Sequence, residues 1–148
     1  MEMEVSFPGG VAVEARFGSF AVRTDQPFDE GGTNAAPSPF SLFFVSIATC
    51  AGFYALRFCQ VRKIDTAGLG VKMSVDRPDR GRIRTIRIEV TLPPGFPEKY
   101  EGAIVRAIDS CTVKRTILDP PEFEVVTFRA DASTAPSAPP DAPAAQKS

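Results

Sequence analysis

The 148-residue chain contains no histidine. That excludes a Ser-His-Asp triad, a Cys-His nucleophile pair and any His-ligated metal site. Proton transfer falls to carboxylates, lysine, tyrosine or thiols. Cysteine is scarce too. Cys50, Cys59 and Cys111 are too few and too widely spaced for a disulfide framework or a CxxC zinc site. An excess of charge of one sign is also missing: 17 basic residues stand against 18 acidic ones, so the electrostatic basis for strong nucleic-acid binding is lacking. Arg77, Arg80, Arg82, Arg84 and Arg87 cluster, but Asp76, Asp79 and Glu89 interleave with them and no aromatic platform accompanies them. This segment reads as a solvated turn. The opening MEMEVSF is acidic and short, unlike a secretory signal. A reducing cytoplasm is the expected location, where a disulfide is more often transient than structural.

What is present predicts one folded domain. Hydrophobic residues make up 43% of the chain and charged residues 24%, enough to build a real core. Val11, Val13, Ala15 and Phe17 alternate with Ala12, Glu14 and Arg16, which is the period of a strand. Pro8-Gly9-Gly10 and Gly18-Ser19 flank it as turns, and FAVRT follows as a further strand. QPFDEGGTNAAPSP reads as a loop. Farther on, Val71, Met73 and Val75 line one face of a strand, and Ile86, Ile88, Val90 and Leu92 line one face of a longer one. Tyr100, Ala103, Ile104, Ala107 and Ile108 form the stripe of an amphipathic helix, and Cys111 continues it. CTVKRTIL allows a further helical turn or two, and FEVVTF is predicted as a last strand. The order predicts an α+β fold with helices packed on antiparallel sheet, spanning residues 1–129. The Ala/Pro-rich stretch 130–148 has no apolar periodicity and is predicted to be a disordered tail.

The central element is the run after Ser38-Pro39. Serine is a good N-cap and proline suits the first helical position, so a helix is predicted from Pro39 to about Lys63. Phe40 to Leu56 carries no charge. A membrane span is the rival reading, but the run is slightly short, and Ser41, Ser46, Thr49 and Gly52 dilute it. The favoured reading is a helix buried on nearly every side, covered by its own sheet and a second subunit. Cys50 and Cys59 lie nine residues apart on this helix, on opposite sides and about 13 Å apart along its axis, too far to bond to each other. Cys111 is the intrachain partner left for either. Cys50, with Ser46 and Tyr54 one turn away, is the better candidate, and burial of all three as small hydrophobes is the plain alternative. Cys59 sits among Arg57, Gln60, Arg62 and Lys63, cations able to lower its pKa, although an incidental thiol is the favoured reading there.

The layout TNAAPSPFSLFFVSIATCAGFYALRFCQ, followed about sixty residues later by AIDSCTVKRTI, resembles the OsmC/Ohr family of osmotically inducible and organic-hydroperoxide-resistance proteins. Pro37-Ser38-Pro39 stands at the start of the helix, Ala48-Thr49-Cys50 at the nucleophile, and Cys111-Thr112-Val113 at the family's Cys-Pro-Val. The resemblance covers about residues 3 to 129. It implies an intertwined α+β homodimer and a two-cysteine peroxidase without a bound cofactor. Cys50 would attack a peroxide oxygen, Cys111 would resolve the sulfenic acid, and an external dithiol, lipoyl-type in some relatives, would reduce the disulfide. Substrates implied are fatty or aromatic hydroperoxides.

The sequence departs from the family at two charges. Where peroxidase members carry a glutamate ten residues before the cysteine, this chain has Phe40. Where they carry an arginine after a Gly pair, it has Val11. Arg23, near the loop that leads into the helix, is the candidate replacement cation. Arg16 falls on the polar side of its strand. A non-catalytic alternative uses the same fold as a binding module, with Phe40, Phe43, Phe44, Phe53 and Phe58 around a small hydrophobic ligand. Core and dimer interface are the commoner role for such aromatics.

Overall fold

Prolines and glycines punctuate the N-terminal third into hairpins. The computed structural model describes residues 1–78 and 81–129; the predicted tail and Asp79 and Arg80 lie outside the described residues. Strands β1 (Glu4–Gly9), β2 (Ala12–Phe17) and β3 (Phe20–Thr24) form an antiparallel sheet in that order. Gly18, at φ 54°, makes the tight turn that sets Phe17 opposite Phe20. The β1–β2 register slips between Ser6 and Gly9, where Pro8 has no N–H to give the ladder.

The loop after β3 is built around one carboxylate. Asp25 accepts hydrogen bonds from the N–H groups of Gln26 (2.8 Å), Thr33 (3.0 Å) and Ala35 (3.1 Å) and from the Thr33 hydroxyl (2.7 Å). A Cβ on Gly32 would meet the Gln26 carbonyl oxygen at 1.8 Å, so the loop closes only around a residue without a side chain. The chain then enters helix α1 (Pro39–Val61). Ser38 Oγ accepts from the Ser41 N–H at 3.2 Å, and Pro39 begins the helix with no donor to satisfy. The helix stops in a Schellman motif: Lys63 takes φ 55°, its N–H bonds to Gln60 O, and the Ile64 N–H bonds to Cys59 O. Ile64 then folds back against the core.

The second hairpin pairs β4 (Gly70–Asp76) with β5 (Thr85–Thr91). Val71 faces Val90, Met73 faces Ile88 and Val75 faces Ile86, as their alternation predicts. A single 3-10 turn, Glu98–Tyr100, leads into α2 (Glu101–Asp109), and α3 (Thr112–Leu118) follows. The core lies where α1, α2 and this hairpin meet. Ala51, Ala55, Phe58 and Cys59 pack against Ile104 and Ile108, with Val71, Ile88 and Val90 beneath them. Two fully buried alanines one turn apart let the helices approach closely. Arg62 closes the end of this layer, its guanidinium 3.7 Å from the Phe58 ring centroid.

One expectation differs from the structure. FEVVTF forms no strand: residues 120–129 run as irregular chain with Phe123, Val125 and Phe128 about nine-tenths exposed. The residue types favour a strand, but a strand needs an edge to pair with, and this segment pairs with none among the described residues. Within the single chain, α1 is covered on one side. It is apolar enough by length and composition alone to cross a membrane, yet only 28% of its most apolar stretch is buried within the chain. Ile47, Ala51, Ala55, Phe58 and Cys59 are covered, whereas Val45 and Phe53 are exposed. The β1–β3 sheet contributes no residue to the core cluster, so it does not cover that open face.

Candidate functional site

Cys50 and Cys111 reach one place from two helices. Cys50 is half-buried on α1, one position before the buried stripe at Ala51. Cys111 sits in the break between α2 and α3, held inward as the helical stripe predicts and 1% exposed, with its N–H bonded to Ile108 O at 3.0 Å. Both are free thiols, and they act on each other. The Cys111 pKa is raised, first by burial and then by a side-chain hydrogen-bonding interaction with Cys50, with charge repulsion from Cys50 added. The nearby N–H groups of Lys114 and Val113 oppose the shift without reversing it.

A second contact spans the same junction. The Tyr54 and Thr112 hydroxyls lie 3.2 Å apart. Tyr54 is one turn past Cys50 and Thr112 directly follows Cys111, so hydroxyls and thiols form neighbouring links between α1 and the start of α3. Sequence reading noted Tyr54 only as a neighbour of Cys50. Its partner lies 58 positions away, and a lone threonine in a motif slot where the family has proline was the one available signal.

The other candidates lie elsewhere. Cys59 is fully buried in the core, and burial pushes its thiol up while Arg62 only partly offsets this. Arg62 thus acts on Cys59 as the sequence allows, but burial outweighs its pull. Arg23 is exposed on β3 opposite Glu14. It is not among the groups acting on Cys111, which are burial, Cys50, Lys114 and Val113. Arg16 is bound to Glu14 at 2.8 Å. Val11 lies in the β1–β2 turn. Phe40, at the first turn of α1, carries the Arg77 guanidinium 4.6 Å from its ring centroid. Arg87 pairs with Glu89 at 3.0 Å.

The five phenylalanines proposed as one apolar pocket divide into three places. Phe40, Phe43 and Phe44 stack on one another at the start of α1. Phe53 is exposed against Tyr54. Phe58 faces the interior against Phe96 and Tyr100. Phe40, Phe44 and Phe58 lie on one side of α1 but Phe58 is about 20–27 Å farther along the axis, and Phe53 points to the opposite side, so the rings cannot converge within one chain.

The fold is that of several solved proteins. A protein of Psychrobacter arcticus, provisionally described as an osmotic stress induced and detoxification response protein, superposes with a TM-score of 0.64 at 22% identity, over 77% of this chain and 85% of the other. The OsmC-like protein of Mycoplasma pneumoniae gives 0.58 at 16% identity, over 80% and 88%. The organic hydroperoxide resistance protein OsmC of Legionella pneumophila, also described as a predicted redox protein and regulator of sulfide bond formation, gives 0.50 at 21%, over 79% and 89%. No match to a curated protein sequence was found. The sequence pattern of the OsmC-like protein family matches residues 32–126, from the Asp25 loop through both cysteine helices and into the C-terminal segment. The chain belongs to the OsmC-like protein family.

Proposed function

We propose that the protein is a thiol-dependent reductase of organic hydroperoxides, with Cys50 as nucleophile and Cys111 as resolving thiol. One observation carries this reading: two free thiols, a half-buried Cys50 on α1 and a buried Cys111 at the head of α3, meet at the junction where the Tyr54 and Thr112 hydroxyls lie 3.2 Å apart. A half-buried Cys50 is the sulfur that solvent and substrate reach. The hydroperoxide-resistance role of the Legionella relative adds support from the same fold.

In the first step the Cys50 thiolate attacks one peroxide oxygen. The O–O bond breaks, Cys50 becomes a sulfenic acid, and the departing alkoxide takes a proton to leave as an alcohol. Cys111 then loses its proton and attacks the Cys50 sulfur, forming a disulfide and releasing water. An external dithiol, of lipoyl type or similar, returns both thiols by exchange and is itself oxidised to a disulfide. The family's arginine and glutamate are replaced by Val11 and Phe40, so no guanidinium from that position assists Cys50. This predicts a slower first step than an arginine-assisted thiolate gives.

The protein acts in this reading as a homodimer. The open face of α1, the apolar residues of the β1–β3 sheet such as Phe7 and Phe20, and the unpaired segment with Phe123, Val125 and Phe128 are all exposed in a single chain. Exposed surface of this kind marks an association site.

The test is a peptide map. Reduced protein is mixed with cumene hydroperoxide, quenched by alkylation and digested. The expected product is a Cys50–Cys111 disulfide formed ahead of any change at Cys59. Cys111→Ser should stop at a sulfenic acid on Cys50 that dimedone traps, and Cys50→Ser should leave the peroxide unconsumed. Slow oxidation spread over all three cysteines would overturn the proposal.

A further inference from the structure

We propose that Tyr54 and Thr112 form a hydroxyl latch that sets the alignment of the Cys50 and Cys111 sulfurs. They are positioning residues. The inference rests on the thiol pairing proposed above, but not on the peroxide chemistry. Tyr54 lies four positions after Cys50, on the same face of α1. Thr112 is the first residue of α3, directly after Cys111. Their hydroxyls are 3.2 Å apart.

The latch matters because α3 has little apolar packing and is otherwise tied by the Lys114–Asp109 ion pair back to α2, not to α1. That helix has seven residues and none of them is buried. Ile117 and Leu118 are exposed, so apolar packing does not fix its orientation. A disulfide is exacting: its sulfurs bond at about 2.05 Å with a dihedral near 90°, and the two Cα atoms must lie within about 7 Å. A small rotation at the start of α3 would carry Cys111 away from Cys50. The Tyr54 hydroxyl, at the end of a rigid ring, holds the residue next to Cys111 in place. At this position the family pattern has proline, which restrains the backbone but offers no hydroxyl; here a side-chain hydrogen bond to α1 provides the restraint instead.

Diamide tests this without peroxide. The full chain is reduced, treated with diamide and quenched by alkylation, and the Cys50–Cys111 disulfide is quantified over time. Two thiols lose two protons and two electrons to the N=N bond, which becomes a hydrazine. The equilibrium with glutathione gives the effective concentration of one thiol toward the other. Tyr54→Phe and Thr112→Val should each lower both readings about 3- to 10-fold, the size of effect one neutral hydrogen bond carries. Thr112→Ser should restore them, and the double variant should lose no more than either single one. Unchanged readings in both single variants would overturn the latch. So would additive losses, or a fall in Tm with the effective concentration intact. Normal disulfide formation with diamide but none with cumene hydroperoxide would remove the peroxidase and leave the latch standing. Failure of the unaltered protein to join Cys50 to Cys111 under diamide would remove both.

Discussion

The two faces of α1 are almost equally apolar and meet opposite fates. One face carries Ala51, Ala55, Phe58 and Cys59, all at or near zero exposure, against Ile104, Ile108 and the β4–β5 hairpin. The other carries Phe43, Val45 and Phe53, more than a third exposed. Each face holds a cysteine at or beside it. Cys59, on the closed face, is sealed and its pKa is raised by burial. Cys50, toward the open side, retains access to solvent and a thiol partner. Hydrophobicity alone therefore does not say which thiol is a reagent. Access from one side and a hydrogen-bonding neighbour on the other do.

Substitutions on the two faces should act on different quantities. Ile104→Ala empties the closed face and should cost about 2–5 kcal/mol of stability, measured by urea unfolding. Phe53→Ser removes an exposed ring. It should leave the unfolding of the single chain nearly unchanged and shift the proposed dimer to monomer in sedimentation equilibrium. A Phe53→Ser protein that stays dimeric would mean that another part of the exposed surface holds the two copies together, and would break the comparison.

The thiols sharpen the same contrast. Under native conditions at neutral pH, iodoacetamide should label Cys50 first and reach Cys59 only when the chain unfolds. Burial raises the Cys59 pKa above that of a free thiol, and the thiolate is the reacting species. The closed face should therefore show an alkylation rate that tracks global unfolding, while the Cys50 rate does not change when mild urea is added. Equal labelling of Cys50 and Cys59 in the native state would show that α1 opens as readily on one side as on the other.

Local signals made much of this legible. Ser38-Pro39 marked the start of α1 because capping depends on residues within one turn. The alternation of Val71 to Val75 and Ile86 to Val90 gave the inner face of the second hairpin, since strand periodicity is local. The inward position of Cys111 followed from the stripe of α2. What was not legible depends on distant partners. The FEVVTF segment has strand-forming residues but pairs with no edge among the described residues. How far burial outweighs the pull of Arg62 on Cys59 depends on packing against α2 and the second hairpin. The Tyr54–Thr112 contact and the bonds of Asp25 to Thr33 and Ala35 join residues that no periodic pattern links.

The smallest expected effect concerns the loop that delivers the chain to α1. It is held by polar bonds to one carboxylate and not by apolar burial, so it should respond to acid while the closed face does not. Four hydrogen bonds to its ionised form hold the Asp25 carboxyl well below the usual carboxylate range. For a depressed pKa the stabilisation is fully present above the unfolded-state value of about 3.9 and declines as pH falls from there toward the lower folded value. Asp25→Asn keeps the shape but removes the charge. Its deficit relative to the unaltered protein should be constant from pH 7 down to about 4 and shrink below that. Amide hydrogen exchange at Thr33 and Ala35 reads the loop directly: both should exchange faster in Asp25→Asn at pH 7, with Ile104 and Ile108 unaffected. A deficit that persists undiminished at pH 2.5, or exchange that rises equally at Ile104, would show that the loop and the closed face open as one unit.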